Sequence, residues 1–238
     1  MRWWDDLWLN EGVASYVETL LYGRHSGQAQ ELFEQEYKRT MLSRKWQPPL
    51  CSSKRYPDPD LKMLDVYYKG ACLVRMVALT FGGHDLFMRS VLGKYVRHFR
   101  FQNVNSTQFI DFVANAVGHR GPLLKEMLTD WVFQASLPTI TVGYNETADE
   151  FIIKQRSSSM HKEHKTDRWT FPIWYSIDGS ERQPIVFFKN QTSLKIPLEV
   201  GSDPWKYQFN FGWKTPVACE SAVQQWPQLC FQWSSLKL

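Results

Sequence analysis

Trp3 to Glu18 read WWDDLWLNEGVASYVE, and how this stretch folds decides what surrounds it. As a helix it gathers Val13, Ala14, Val17, Leu20 and Leu21 on an apolar stripe. Glu11 and Glu18, a heptad apart, then share roughly one side of the helix. Upstream, Trp3, Trp4, Leu7 and Trp8 add apolar bulk at helical spacing, while Asp5, Asp6 and Asn10 put polar groups where a helix start needs them. An acid such as Glu11 in so aromatic a setting is either a capping or surface group or a residue kept for its chemistry.

After this helix, Gly23 to Gly27 interrupts the pattern, and a second helix is expected over Gln30 to Ser43 with Leu32, Phe33, Tyr37 and Leu42 inward. Gln47 to Asp60 holds Pro48, Pro49, Pro57 and Pro59, so it reads as a connection that crosses the surface or rims a cleft. From Leu64 the run LDVYYKGACLVRMVALTFGG is apolar and helical. Three further helices are expected. Asp85 would cap one bearing Leu86, Phe87, Val91, Leu92, Tyr95, Val96 and Phe99; Ser106 or Thr107 would cap one bearing Phe109, Ile110, Val113 and Val117, closed by Gly118; Gly121-Pro122 would open the third, with Leu123, Leu124, Met127, Leu128 and Trp131 inward.

At Leu137-Pro138 the period changes from helical to two. Residues 139–142, 150–156, 169–177, 184–188 and 194–200 read as short strands rich in β-branched and aromatic side chains, with Asp178-Gly179 as a turn. Between two of them, SSSMHKEHKTDR contains His161, Glu163 and His164, which fit a polar hairpin loop better than a metal site because the spacing matches no zinc motif. Residues 201–238 carry Trp205, Trp213, Trp226 and Trp233 with no clear period and are expected to be an irregular tail.

The chain has 238 residues, enough for a sizeable core, and a formal net charge of +4 with basic residues spread along it, which argues against nucleic-acid binding. No apolar run approaches the roughly 20 residues of a bilayer span. Sequons stand at Asn105-Ser106-Thr107, Asn145-Glu146-Thr147 and Asn190-Gln191-Thr192, acceptors in a secreted or luminal setting. Cys51, Cys72, Cys219 and Cys230 form no C-x-x-C; Cys72 reads as a core residue, and Cys219 with Cys230 could pair in an oxidising compartment.

The string WWDDLWLNEG-ASYVE resembles the zinc metalloaminopeptidases of the gluzincin class, the membrane alanyl aminopeptidase (aminopeptidase N) family. In that family HExxH on one helix supplies two His, and the Glu of the later NEG step is the third zinc ligand. The resemblance makes Glu11 that ligand. The family's Y-x-K-G step, whose tyrosine hydrogen-bonds the oxyanion of the tetrahedral intermediate, is matched by Tyr67 to Gly70, with Tyr67 rather than Tyr68 in the first place. Glu18 would at most hydrogen-bond a zinc-bound His from outside the ligand shell. The spacing from Glu11 to Tyr67 is shorter than the family's, with the deficit in the proline loop.

The resemblance implies an α+β chain: the mostly α-helical C-terminal half of a thermolysin-like catalytic domain over residues 1–137, a small β-sandwich domain over 138–200, and the tail. It implies removal of N-terminal amino acids from peptide substrates with zinc as cofactor, an extracellular or luminal site for the parent protein, and a homodimer as the candidate assembly; in that setting the sequons make Asn105, Asn145 and Asn190 glycosylation candidates. No HExxH occurs in the sequence, so two ligands and the general base would have to lie before Met1, as would GxMEN and any membrane anchor. The expectation is a fragment that is inactive alone; the alternative is a short product acting as a non-enzymatic partner of a full-length relative.

Overall fold

A computed structural model describes residues 4–42, 47–52 and 59–230. Trp3, Ser43, Pro57 and Trp233, each given a place above, lie outside the described residues. The chain divides into two compact units, Met1–Ser136 and Leu137–Leu238.

The first unit is helical: α1 (Leu7–Ser26), α2 (Ala29–Leu42), α3 (Pro59–Phe81), α4 (His84–Phe87), a π-helical turn (Met88–Leu92), α5 (Gly93–His98), α6 (Ser106–Ala116) and α7 (Gly121–Phe133). Its centre is α3, from which Val66, Ala71, Leu73, Val74, Met76, Val77 and Ala78 are buried. The stripe that α1 buries differs from the one its large aliphatic residues suggest. Trp8, Gly12, Tyr16, Leu20 and Gly23 face inward, whereas Ala14 is exposed and Leu21 is 54% exposed. The reason is close packing at glycine: a Cβ on Gly23 would sit 2.5 Å from the Cα of Ala29, so the α1–α2 corner needs a residue without a side chain. Tyr16 is admitted to the same stripe because its hydroxyl lies 2.8 Å from His84 Nδ1.

Other local expectations also shift. Leu42 is 70% exposed and Met41 takes the buried position. Residues 47–51 do not cross the surface: Gln47 and Leu50 are buried, Gln47 O accepts from Ser136 N at 2.7 Å, and Cys51 N donates to Val132 O at 3.0 Å. The stretch stays buried because its backbone groups find partners at the end of α7 and just after it. Asn105, not Ser106, caps α6. Its side chain accepts from Gln108 N at 2.8 Å while Gln108 Oε1 accepts from Asn105 N at 3.1 Å, a reciprocal capping box. Asp85 caps nothing and instead bridges Arg24 at 2.7 Å.

The second unit is built of strands β1 (Pro138–Asn145), β2 (Glu150–Ser157), β3 (Phe171–Ile173), β4 (Tyr175–Ile177), β5 (Ser180–Glu181), β6 (Ile185–Phe187), β7 (Leu194–Pro197), β8 (Tyr207–Phe209) and β9 (Ala218–Ser221). They form a four-stranded sheet ordered β7-β2-β1-β9, a pair β3-β6, and a three-stranded sheet ordered β5-β4-β8. Phe151 of β2 meets Tyr207 and Phe209 of β8 at ring-centroid distances of 4.5 and 5.1 Å, so the larger sheets share an aromatic core as in a sandwich. With the helical first unit this makes the chain α+β. Residues 201–230 are therefore no irregular tail: β8 completes one sheet, and β9 pairs parallel with β1, held by a Cys219–Cys230 disulfide. Its strands escaped notice because three or four residues are too few to show a period.

Candidate functional site

The site begins with two glycines. Gly12 of α1 and Gly70 of α3 touch where the helices cross: a Cβ on Gly12 would lie 2.7 Å from Gly70 Cα, and one on Gly70 2.8 Å from Gly12 Cα. Neither has a conformational need to be glycine, since both are ordinary helical residues; what they provide is backbone-to-backbone approach. Both belong to the motifs, the G of NEG and the G of Y-x-K-G. Glu11 precedes one by a residue and Tyr67 precedes the other by a turn, and the close crossing lets the two side chains meet.

They meet as a hydrogen bond. The Tyr67 phenol donates to the Glu11 carboxylate, and that bond, more than burial, raises the phenol's pKa above its usual range. Both residues are half-exposed. Tyr67 thus stays protonated at neutral pH, as a hydrogen-bond donor must. Tyr68 turns instead towards α2, where the Arg39 guanidinium lies 4.9 Å from its ring centroid. Glu18, two turns beyond Glu11, is exposed and its charge reaches Glu36 of α2. Glu36 is held above the ordinary carboxylate range chiefly by burial; Arg39 opposes the rise and Glu18 adds to it.

The frame around the pair is buried and hydrogen-bonded. Asp6 is not the cap of its own helix. It is 4% exposed and its Oδ1 accepts from Ser106 N at 2.8 Å and Ser106 Oγ at 2.7 Å, while Trp8 Nε1 donates to Ser106 Oγ at 2.8 Å. An aspartate at the start of α1 thereby satisfies the first free amide of α6. On the other side of Tyr67, Lys69 is fully buried and its Nζ donates to Ser136 O at 3.2 Å. Burial lowers its pKa to about 8, with the nearby Asp65 carboxylate opposing the shift. Sequence reasoning passed over Asp6, Lys69 and both glycines as site-building residues. For Gly12, Lys69 and Gly70 the signal was the motif itself.

Among the described residues no group of three or more His, Cys, Asp or Glu could hold a metal ion. His161, Glu163 and His164 do not change this: His164 Nδ1 is 3.0 Å from Asp167 in a polar loop. A catalytic zinc needs three protein ligands, and this site offers the single carboxylate of Glu11, so the residues present do not by themselves fit the ion.

The profile of the peptidase family M1 domain matches residues 1–131. The chain belongs to peptidase family M1. Among curated relatives, a probable aminopeptidase 1 from Sulfurisphaera tokodaii is 24% identical over 209 residues, covering 85% of this chain and 26% of that protein. Aminopeptidase N from Mus musculus is 26% identical over 223 residues, 86% of this chain and 23% of that one. The thyrotropin-releasing hormone-degrading ectoenzyme of Homo sapiens is 30% identical over 165 residues, 63% of this chain and 15% of the ectoenzyme. The chain thus spans about a quarter or less of the length of these relatives. The M1 match takes in Glu11, Tyr67 and the whole glycine crossing.

Proposed function

We propose that this chain carries the later half of a zinc aminopeptidase site. Glu11 is the carboxylate it brings to the metal, and Tyr67 is the donor that stabilises the oxyanion formed when the N-terminal peptide bond is attacked. The observation that carries the reading is the Glu11–Tyr67 hydrogen bond, made across the Gly12–Gly70 contact by residues of two separate motifs. Peptides with a free N-terminus are the substrate class, in keeping with the names of the relatives.

The reading also favours an oxidising compartment. The Cys219–Cys230 disulfide supports it, and Asn190 is exposed in a turn after β6, open to a glycan. Asn145 is half-buried with its side chain accepting from Thr147 N at 3.1 Å, and Asn105 is engaged in its capping box, so Asn190 is the best placed of the three.

The test takes two proteins: the 238-residue chain, and the product of its open reading frame with any in-frame HExxH segment 5′ of Met1. The first should bind no stoichiometric zinc and leave alanyl p-nitroanilide intact. The second should hold zinc and hydrolyse it. In the second, Glu11→Gln should release the zinc, and Tyr67→Phe should keep the zinc but lower kcat by roughly a hundred- to a thousandfold. Zinc binding unaffected by Glu11→Gln, or full activity in Tyr67→Phe, would overturn the assignment.

A further inference from the structure

The formal charge of +4 is not shared evenly along the chain. Between Asp85 and Asp111 the sequence contains Arg89, Lys94, Arg97 and Arg100 and no acidic residue. These four account for the entire excess, since the remaining 24 Lys and Arg (28 less these four) are matched by 24 Asp and Glu. The view that the basic residues are spread out holds for the rest of the chain and fails here.

The fold displays this stretch. All four cations and His98 are exposed, and Lys94, Arg97 and His98 stand at i, i+3 and i+4 along α5 and the turn that ends it. Arg100 follows, its guanidinium 4.7 Å from the ring centroid of Phe101, which is 93% exposed. No carboxylate among the described residues pairs with Arg89, Lys94, Arg97 or Arg100. The acids on the neighbouring elements are committed elsewhere: Asp85 of α4 bridges Arg24 at 2.7 Å, Asp111 of α6 bridges Lys125 at 2.7 Å, and Asp6 is buried against Ser106. A row of exposed, unpaired, mostly guanidinium cations raises the local concentration of an extended polyanion and can grip its oxyanions through paired N–H donors.

We propose that the surface formed by Lys94, Arg97, His98 and Arg100 binds a linear sulfated polysaccharide. The compartment decides between polyanions. A chain with the Cys219–Cys230 disulfide belongs where thiols oxidise, whereas the negative lipid surface potential belongs to the cytoplasmic leaflet and nucleic acids to reducing compartments. The proposal is independent of the chemistry assigned to Glu11 and Tyr67, and stands or falls without it.

The test is calorimetric titration of the 238-residue chain with a size-fractionated heparin oligosaccharide at physiological salt. Two charge-matched triple variants are compared, each checked for folding by circular dichroism. Lys94→Gln/Arg97→Gln/Arg100→Gln should weaken binding on the order of a hundredfold. Lys154→Gln/Lys162→Gln/Lys165→Gln, exposed in the second unit, should change it by no more than about twofold. Equal losses in the two variants would show a net-charge effect and overturn the assignment. So would an absence of heparin binding, or binding confined to vesicles containing phosphatidylserine.

Discussion

Asp6 and Glu11 lie five residues apart at the same end of the first unit and are used in opposite ways. Asp6 is buried and accepts hydrogen bonds from Ser106 N and Ser106 Oγ, with the Cys51 thiol 3.6 Å away. Glu11 is half-exposed beside the crossing of α1 and α3 and is met by the Tyr67 phenol. A buried carboxylate whose donors are all internal is part of the frame and can do nothing else. An acid left partly open, with a helix crossing built to bring a phenol to it, keeps capacity for another ligand. The apolar setting of WWDDLWLNEG therefore serves first to fix α1 and only then to present Glu11.

Asp6→Ala should be the most damaging substitution at these two acids. It leaves the Ser106 amide and hydroxyl buried without an acceptor, and should lower unfolding free energy by about 3 kcal/mol in urea titration. Gly70→Ala comes next: the added methyl meets Gly12 Cα at 2.8 Å, and overpacking should cost about 2 kcal/mol while separating Glu11 from Tyr67. The Tyr67 phenol titration, followed by NMR, should then fall back towards its ordinary range. If Gly70→Ala is as stable as the parent, the crossing is looser than described.

Lys69→Met tests the frame through pH. With its pKa lowered from 10.5 to about 8, the buried amine binds fewer protons in the native than in the unfolded chain across that window. Its contribution makes stability rise with pH from about 8 towards 10, and the variant should lose that rise. Glu11→Gln is the mildest change. It should leave the melting temperature almost unchanged, since the pair is open to solvent, but should lower the Tyr67 pKa towards the usual phenol value by removing the acceptor charge. A Tyr67 titration unmoved in Glu11→Gln would sever the two motifs.

The helices and the longer strands were legible because their periods run over many residues: the alternation of 150–156 holds, and the helix read from Leu64 is present but runs Pro59–Phe81, taking in two residues read as loop and stopping before Gly82. The residues of the motif were legible too, as names in a pattern. What could not be read was why they work together. Gly12 and Gly70 count as weak helix formers until the neighbouring helix is in place, and Tyr16 breaks an aliphatic stripe until His84 supplies a partner. Asp6 next to a helix start looks like that helix's own cap, and only the tertiary structure shows its partner to be Ser106. Short strands such as Ala218–Ser221 carry no local signal at all, because what makes them strands is the neighbour they add to.

That last pairing bears on how the protein is made. β1 lies parallel to β9, with Thr139 opposite Ala218 and Val142 opposite Ser221, so the first strand of the second unit waits for nearly the last before its sheet is complete. On the ribosome, the helical unit can collapse as soon as it emerges, while the β-unit must hold its aromatic residues, Phe151 among them, without a finished partner until Ala218–Ser221 have been made. A nascent chain arrested before residue 218 should accordingly yield a protease-resistant first half and a second half that chaperones still bind.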